Sequence, residues 1–265
     1  MSTGNERVPK PLNECGVLIT GGTSGVGLAT AVQFAAAGVR RIALVGRNEE
    51  RGQNARQSVL AAHPETAVEF IAGDMNDPIQ VTRVCETARS RMGSIDVLVN
   101  STVGPFGPCL FHNTPMEDML PIVVQQMMAP IYTCRAVLPW MREQGGGAII
   151  NIASDAGKLA TPGEAVIGAA MAGIVMFSRT LAMEAKRNGV RVNALTPSII
   201  TGTLTNTAVM SQPFAAKLFD GAMKAAHLGV CVPDDLAALI VFLASPEAGR
   251  ITGQAISVNG GISAA

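Results

Sequence analysis

The sequence predicts an α/β protein: a single-domain, Rossmann-type doubly wound parallel sheet with helices on both faces. Three observations carry that prediction. Short apolar runs alternate with helical segments from end to end. A glycine cluster stands between the first run and the first helix. No repeat, low-complexity tract or linker interrupts the 265 residues, a length that suits one sizeable core. Strands covered on both faces show as continuous apolar runs rather than strict alternation, and that is the pattern here.

Taken in order, residues 1–13 read as a flexible N-terminal tail and 14–265 as the domain. Residues 16–20 form a first strand, and 26–37 follow with helical composition and stop at Gly38, a residue suited to a helix C-terminus. A second strand at 42–45 ends at Gly46 and leads into a polar helix that runs to about His63. The third strand, 68–72, ends at Gly73-Asp74. A helix at 81–92 precedes a fourth strand at 95–99. Residues 115–141 hold one or two helices. A fifth strand at 148–152, a long helix at 165–186, a sixth strand at 190–195, a helix at 234–244 and a last strand at 255–258 complete the series.

Composition narrows the function classes. Twenty Lys and Arg balance twenty Asp and Glu, with no basic block, which argues against a nucleic-acid or anionic-membrane partner. The longest apolar stretch, 236–244, is too short to cross a bilayer. The polar start, with Pro9 and Pro11, lacks the apolar core of a secretion signal, so a cytoplasmic location is expected. Five cysteines (Cys15, Cys85, Cys109, Cys134, Cys231) are an odd number without metal-type spacing and read as reduced thiols. No metal site is expected. There is one tyrosine, Tyr132.

The glycine cluster, Thr20-Gly21-Gly22-Thr23-Ser24-Gly25-Val26-Gly27, sits where a strand turns into a helix. Glycines there let the backbone approach a pyrophosphate, and the helix N-terminus turns unpaired N–H groups to the anion. A tight turn holding nothing is the other reading of the same residues. At the end of the second strand stands Gly46, then Arg47. A carboxylate that would accept from ribose hydroxyls is missing, and a guanidinium stands where a 2′-phosphate would lie. If a dinucleotide binds, NADP(H) is favoured over NAD(H); the alternative is a solvated residue at a helix start.

At this point the chain resembles the short-chain dehydrogenase/reductase family over nearly its whole length. Gly73-Asp74 matches the aspartate after strand three that contacts adenine. The segment Asp96 to Asn100 matches the strand leading into the Asn-Asn-Ala-Gly motif, and Ile149 to Ser154 the strand that carries the catalytic serine. Val190 to Ala194 with Pro197, and Thr252-Gly253-Gln254 with Val258 to Gly261, match the later segments. The resemblance implies a dinucleotide site formed by Gly21, Thr23, Ser24, Gly25, Val26, Gly27, Arg47, Asp74, Met75 and Asn100.

The pattern breaks at the chemistry. The family uses a Tyr-x-x-x-Lys pair whose tyrosine lies thirteen residues past the serine. From Ser154 that position is Ile167, and the lysine position is Met171. The family's asparagine on the preceding helix corresponds to Gln126. Only Ser154 keeps its type. A phenol of pKa about 10, pushed toward ionisation by a lysine, exchanges the alcohol proton in the family. Ile167 and Met171 carry neither proton nor charge. Tyr132, six residues past Gln126, points elsewhere on its helix. Asp155, Lys158, Thr161 and Glu164 follow the serine in the loops, and His112 is the candidate acid that titrates nearest neutrality. Replacing both members of the pair by apolar residues leaves no stranded lysine, which reads as a settled site.

Other departures agree. Asn-Asn-Ala-Gly has become Asn100-Ser101-Thr102-Val103, Pro197 is followed by Ser198, and Gly202 stands at a threonine position. The adenosine end is therefore better kept than the nicotinamide end. The long segment 197–230 corresponds to the family's lid and carries Leu204, Met210, Phe214, Leu218, Phe219 and Met223, which fits an apolar small molecule or plain packing. Family members form dimers and tetramers, and a mean hydropathy of +0.31 fits an oligomer, with partner chains identical or not. Two functions stay open: a pseudoenzyme or non-catalytic subunit of an oligomeric oxidoreductase that keeps a dinucleotide site, or an active NADP(H)-dependent oxidoreductase of the enone-reducing type, isomerase or dehydratase with a non-standard site around Ser154.

Overall fold

A computed structural model of the chain describes residues 9–265. The expected tail falls mainly on residues 1–8, outside the described residues. Its remainder is tied down: Lys10 Nζ donates to Asp96 Oδ1 at 2.7 Å, and Leu12–Glu14 make one 3-10 turn.

Seven strands form one sheet: β1 (Gly16–Thr20), β2 (Arg41–Gly46), β3 (Ala67–Ala72), β4 (Val97–Asn100), β5 (Gly147–Ile152), β6 (Val190–Pro197) and β7 (Ala255–Val258). Their order is β3-β2-β1-β4-β5-β6-β7, and every pairing is parallel. Side chains alternate across a strand, so β1 feeds both faces: Val17 and Ile19 join one core, Leu18 the other. The first core packs the sheet against α1 (Gly25–Ala36), α2 (Glu49–Ala62) and α8 (Pro233–Ala244). The second packs it against α3 (Pro78–Met92), α4 (Met116–Glu143) and α5 (Ala165–Ala185). Helices on both faces satisfy the condition for an all-parallel sheet. Order reverses between β1 and β4, which opens a crevice at the carboxyl ends of these strands.

Several boundaries move, each for a local reason. α3 starts at Pro78 rather than residue 81, because Asp77 caps it by accepting from the N–H groups of Ile79 and Gln80. Residues 116–143 are one helix despite Pro121, Pro130 and Pro139 within it. Burial of Ala129, Thr133, Cys134, Val137 and Met141 outweighs the prolines' local preference. The segment 197–230 holds two helices that its composition did not announce, α6 (Leu204–Met210) and α7 (Pro213–Ala225). Thr203 caps α6 through Asn206 N–H, and Pro213 opens α7.

The expectation that 236–244 is the longest apolar stretch needs correction. Residues 165–188 are long and apolar enough to cross a membrane, with mean hydropathy 1.7. In this fold that helix is a core element: Ile167, Ala170, Met171, Ile174, Val175, Leu181 and Ala182 are buried.

Candidate functional site

The crevice is a cavity of about 490 Å³ that runs from the glycine loop after β1 to the start of α5. Its first part is shaped by glycine. Gly21 has φ +67°, and a Cβ there would stand 2.3 Å from the Ser101 carbonyl oxygen. A Cβ on Gly27 would stand 2.3 Å from the Gly21 carbonyl oxygen. Both positions need glycine because backbones touch. Gly27 itself lies behind the cavity wall, while Gly21, Thr23, Ser24, Gly25 and Val26 line it. Ser24, the N-cap of α1, makes no side-chain cap bond, so the first N–H groups of α1 remain for a ligand.

Arg47, Asp74 and Met75 line the same end. So does Arg51, four residues after Arg47 on the start of α2, which sequence reasoning passed over. Both guanidinium groups are exposed, and neither has an ion-pair partner among the described residues. Among those residues two buried side-chain polar atoms lack a hydrogen-bond partner, Asn76 Oδ1 and Asn206 Oδ1, and both residues line this cavity. A buried amide oxygen left unpaired is costly, and a ligand that donates hydrogen bonds removes the cost. Asn206 sits on the unforeseen α6, and nothing in its sequence setting singled it out. The cradle and the orphaned amides together fit a dinucleotide.

Asn100 is a correction. It is buried, and its side chain is spent inside the sheet: Nδ2 donates to Asn151 Oδ1 at 2.8 Å, and Oδ1 accepts from Thr20 and Thr133 hydroxyls. The cavity floor beyond β4 is made by Ser101 and Thr102 instead.

At the inner end the structure brings Gln126, Ser154, Ile167 and Met171 to one wall. Gln126 Oε1 accepts from Gly104 N–H at 3.2 Å, and Ser154 Oγ accepts from Ala156 N–H at 3.2 Å. Ile167 and Met171 belong to an apolar cluster with Ile122, Ala153, Ile174 and Val175. The loop after Ser154 lies directly on α5. A Cβ on Gly157 would stand 2.7 Å from the Met171 carbonyl carbon, and one on Gly168 2.7 Å from the Ala156 carbonyl oxygen.

The other candidates separate. His112 is exposed on a 3-10 turn, Phe111–Asn113, and is not part of the cavity wall. Lys158 donates to Ser257 Oγ and the Ala255 carbonyl, and buried Asp155 accepts from Asn259 and Ser263, so both are engaged with the chain's C-terminal segment. Thr161 bonds the Leu159 carbonyl. Tyr132 packs against the opposite core. Glu164 alone of these lines the cavity. Burial pushes its carboxyl up to about 7, and no neighbouring charge contributes.

Comparison with known proteins agrees with this fold. A family model described as enoyl-(acyl carrier protein) reductase matches residues 21–263. The 3-oxoacyl-(acyl-carrier-protein) reductase of Chlamydia muridarum is 31% identical over 246 residues, covering 92% of this chain and 96% of that protein. The acetoacetyl-CoA reductase of Shinella zoogloeoides is 31% identical over 247 residues, covering 92% and 96%. Among solved structures, levodione reductase superposes with TM-score 0.88 at 28% identity, covering 94% of this chain and 97% of that one. The L-sorbose reductase of Gluconobacter frateurii, complexed with NADPH and L-sorbose, gives TM-score 0.83 at 32% identity, covering 94% and 97%. With the doubly wound sheet, the glycine cradle and these likenesses together, the chain belongs to the short-chain dehydrogenase/reductase family of oxidoreductases.

Proposed function

We propose that this protein is an NADP(H)-dependent reductase of conjugated carbonyl compounds that lacks ordinary ketone–alcohol activity. One observation carries the reading: a single cavity joins a dinucleotide cradle to Ser154 across a floor whose tyrosine and lysine positions are filled by packed Ile167 and Met171. Simple ketone reduction needs an acid at the carbonyl oxygen, and general acid catalysis contributes about 10²–10⁴-fold. A conjugated enone spreads the developing charge, so a hydrogen bond to its oxygen suffices for the first step. Ser154, which lines the cavity, would give that bond. NADPH, when bound, supplies the hydride.

Arg47 and Arg51, with Gly46 in place of a carboxylate, support NADPH over NADH. The solved relative complexed with NADPH accords with that preference. Ile167, Met171, Leu204, Val209, Phe106 and Phe219 along the wall support an apolar substrate.

A second reading, a non-catalytic subunit that binds dinucleotide beside an active related chain, is favoured by the same packed cluster. It requires that nothing else in the cavity move a proton.

NADPH fluorescence titration and parallel assays with 2-cyclohexen-1-one and cyclohexanone test the proposal. The expected result is NADPH binding and enone reduction without ketone reduction. Ketone turnover lost in Ser154→Ala would overturn it, as would no binding at millimolar NADPH. Binding without turnover of either probe selects the non-catalytic subunit.

A further inference from the structure

The cavity holds one proton-active side chain at its inner end that the family pattern does not use. Glu164 is the N-cap of α5, and its carboxyl caps nothing. It stands three residues before Ile167, so the two lie on one face of the helix about a turn apart, and both line the cavity. Glu164 is half-buried, and the loop beside it is closely packed. A Cβ on the adjoining Gly163 would stand 2.7 Å from the Phe214 ring of α7 and 3.4 Å from Pro108 Cβ. The Cys109 N–H donates to the Gly163 carbonyl at 2.7 Å and holds that loop over the helix start.

No charge faces Glu164 from these elements. On the serine loop, Asp155 and Lys158 are engaged with the C-terminal segment. On α7, Lys217, Asp220 and Lys224 are exposed, and α6 carries no charged residue. The remaining charged groups of the cavity, Arg47, Arg51 and Asp74, belong to the adenosine end.

We propose that Glu164 is the catalytic acid of this site, giving a proton to the substrate's α-carbon in place of the missing tyrosine. The inference rests on the reductase reading above. A bound reduced dinucleotide would supply hydride to the β-carbon, and the carbon–carbon π pair would then move toward the carbonyl. The oxygen, now enolate, keeps its hydrogen bond from the Ser154 hydroxyl. As the carbonyl re-forms, the enolate electron pair takes the proton from the Glu164 carboxyl at the α-carbon. The products are the saturated carbonyl compound and the oxidised dinucleotide. Glu164 is left as carboxylate and regains a proton from water at the cavity mouth. A carboxyl that is half neutral near pH 7 suits the task, since an acid works best when its pKa lies near the working pH.

The test has two arms on the full-length protein. In the first, carbon-13 carboxyl resonances are titrated in wild type and Glu164→Gln. The resonance missing from the variant should titrate near pH 7. In the second, turnover of 2-cyclohexen-1-one with NADPH is followed from pH 5 to 9. Wild type should lose turnover above pH 7 with a one-proton slope. Glu164→Gln should lower kcat about 100-fold with NADPH affinity unchanged, and Glu164→Asp should restore part of it. Titration of Glu164 in the ordinary range overturns the inference, as does a fully active Glu164→Gln or a wild type that binds NADPH and does not turn over. Failure of NADPH to bind is the separate failure of the reductase reading, and the first arm reads independently of it.

Discussion

Asn100 on β4 donates from Nδ2 to Asn151 Oδ1 on β5 at 2.8 Å, at the point where the two strands are in register. Asn151 in turn donates to Ser178 on α5 at 2.9 Å, and Thr20 and Thr133 donate to Asn100 from β1 and α4. The chain of bonds ties three strands and two helices together directly beneath the cavity. All five side chains are buried, and the two asparagine side chains and the Thr20 hydroxyl find their partners mainly within this network.

Asn100→Leu should therefore act on stability and leave the cofactor site intact. It removes the partner of the Thr20 hydroxyl and of the Asn151 side-chain carbonyl, and each buried orphan costs about 1–3 kcal/mol. Urea denaturation should show a loss of about 2–4 kcal/mol, with NADPH affinity kept to within about threefold. A stable Asn100→Leu that has lost NADPH binding would return Asn100 to the list of cofactor ligands.

Arg47→Asp should reverse the dinucleotide preference. The guanidinium is exposed at the end of β2 and free of ion pairs among the described residues, so its charge is available to a 2′-phosphate. Losing a charged hydrogen bond of about 1.5–3 kcal/mol weakens NADPH binding about 10–100-fold. The new carboxylate can accept from ribose hydroxyls, so NADH should bind more tightly than to wild type. Fluorescence titration with both dinucleotides reads the two effects. Equal NADPH affinity before and after would leave Arg47 as a solvated helix-start residue.

How far the sequence reached depended on whether each feature was local. The β strands and the glycine cradle are local: the apolar run 16–20 and the spacing of Gly21, Gly25 and Gly27 suffice to place them. The helices of 197–230 were missed because their apolar residues read equally as lid or packing, while Thr203 and Pro213, the residues that start them, were passed over. Asn100 was misassigned because its partners come from β1, β5 and α4, and only the assembled sheet brings them within reach. His112 was a candidate by residue type alone, and the fold leaves it outside the cavity. Glu164 is the reverse case. The residue beside it, Gly163, packs against Pro108 and Phe214, each about fifty residues distant in sequence, and no spacing rule could announce that the fold sets Glu164 in the cavity wall.

The filled catalytic positions make a prediction about restoration. Met171→Lys places an ammonium in the cluster of Ile122, Ala153, Ile167, Ile174 and Val175. Desolvation lowers a buried lysine's pKa, so the variant should be less stable by about 3 kcal/mol at pH 7. It should recover as pH rises toward the unfolded lysine's pKa of about 10.4, because the unfolded chain then gives up the proton that the buried lysine has already lost. Ile167→Tyr/Met171→Lys gives the ammonium a neighbouring phenol and should bring NADPH-dependent ketone reduction. A folded double variant that binds NADPH and stays inactive on cyclohexanone shows that Ile167 and Met171 are not what closes the ordinary route.

Glu164 also predicts how stability depends on pH. Burial raises its folded-state pKa from 4.5 to about 7, so the folded chain binds this proton more tightly than the unfolded chain. Below pH 4.5 both states are protonated and the site carries no penalty. As pH rises from 4.5 through 7, the unfolded carboxyl ionises first, and stability from this group falls until both states are ionised. The full loss is about 1–3 kcal/mol, with water at the cavity mouth drawing it to the lower part of that range. Glu164→Gln has no proton to lose. Thermal or urea unfolding of the two proteins should diverge with pH, the variant gaining on wild type between pH 5 and 8. Parallel pH curves would mean that the carboxyl is solvated in the folded chain, and the same water that solvates it would leave it too weakly shifted to serve as an acid near neutrality.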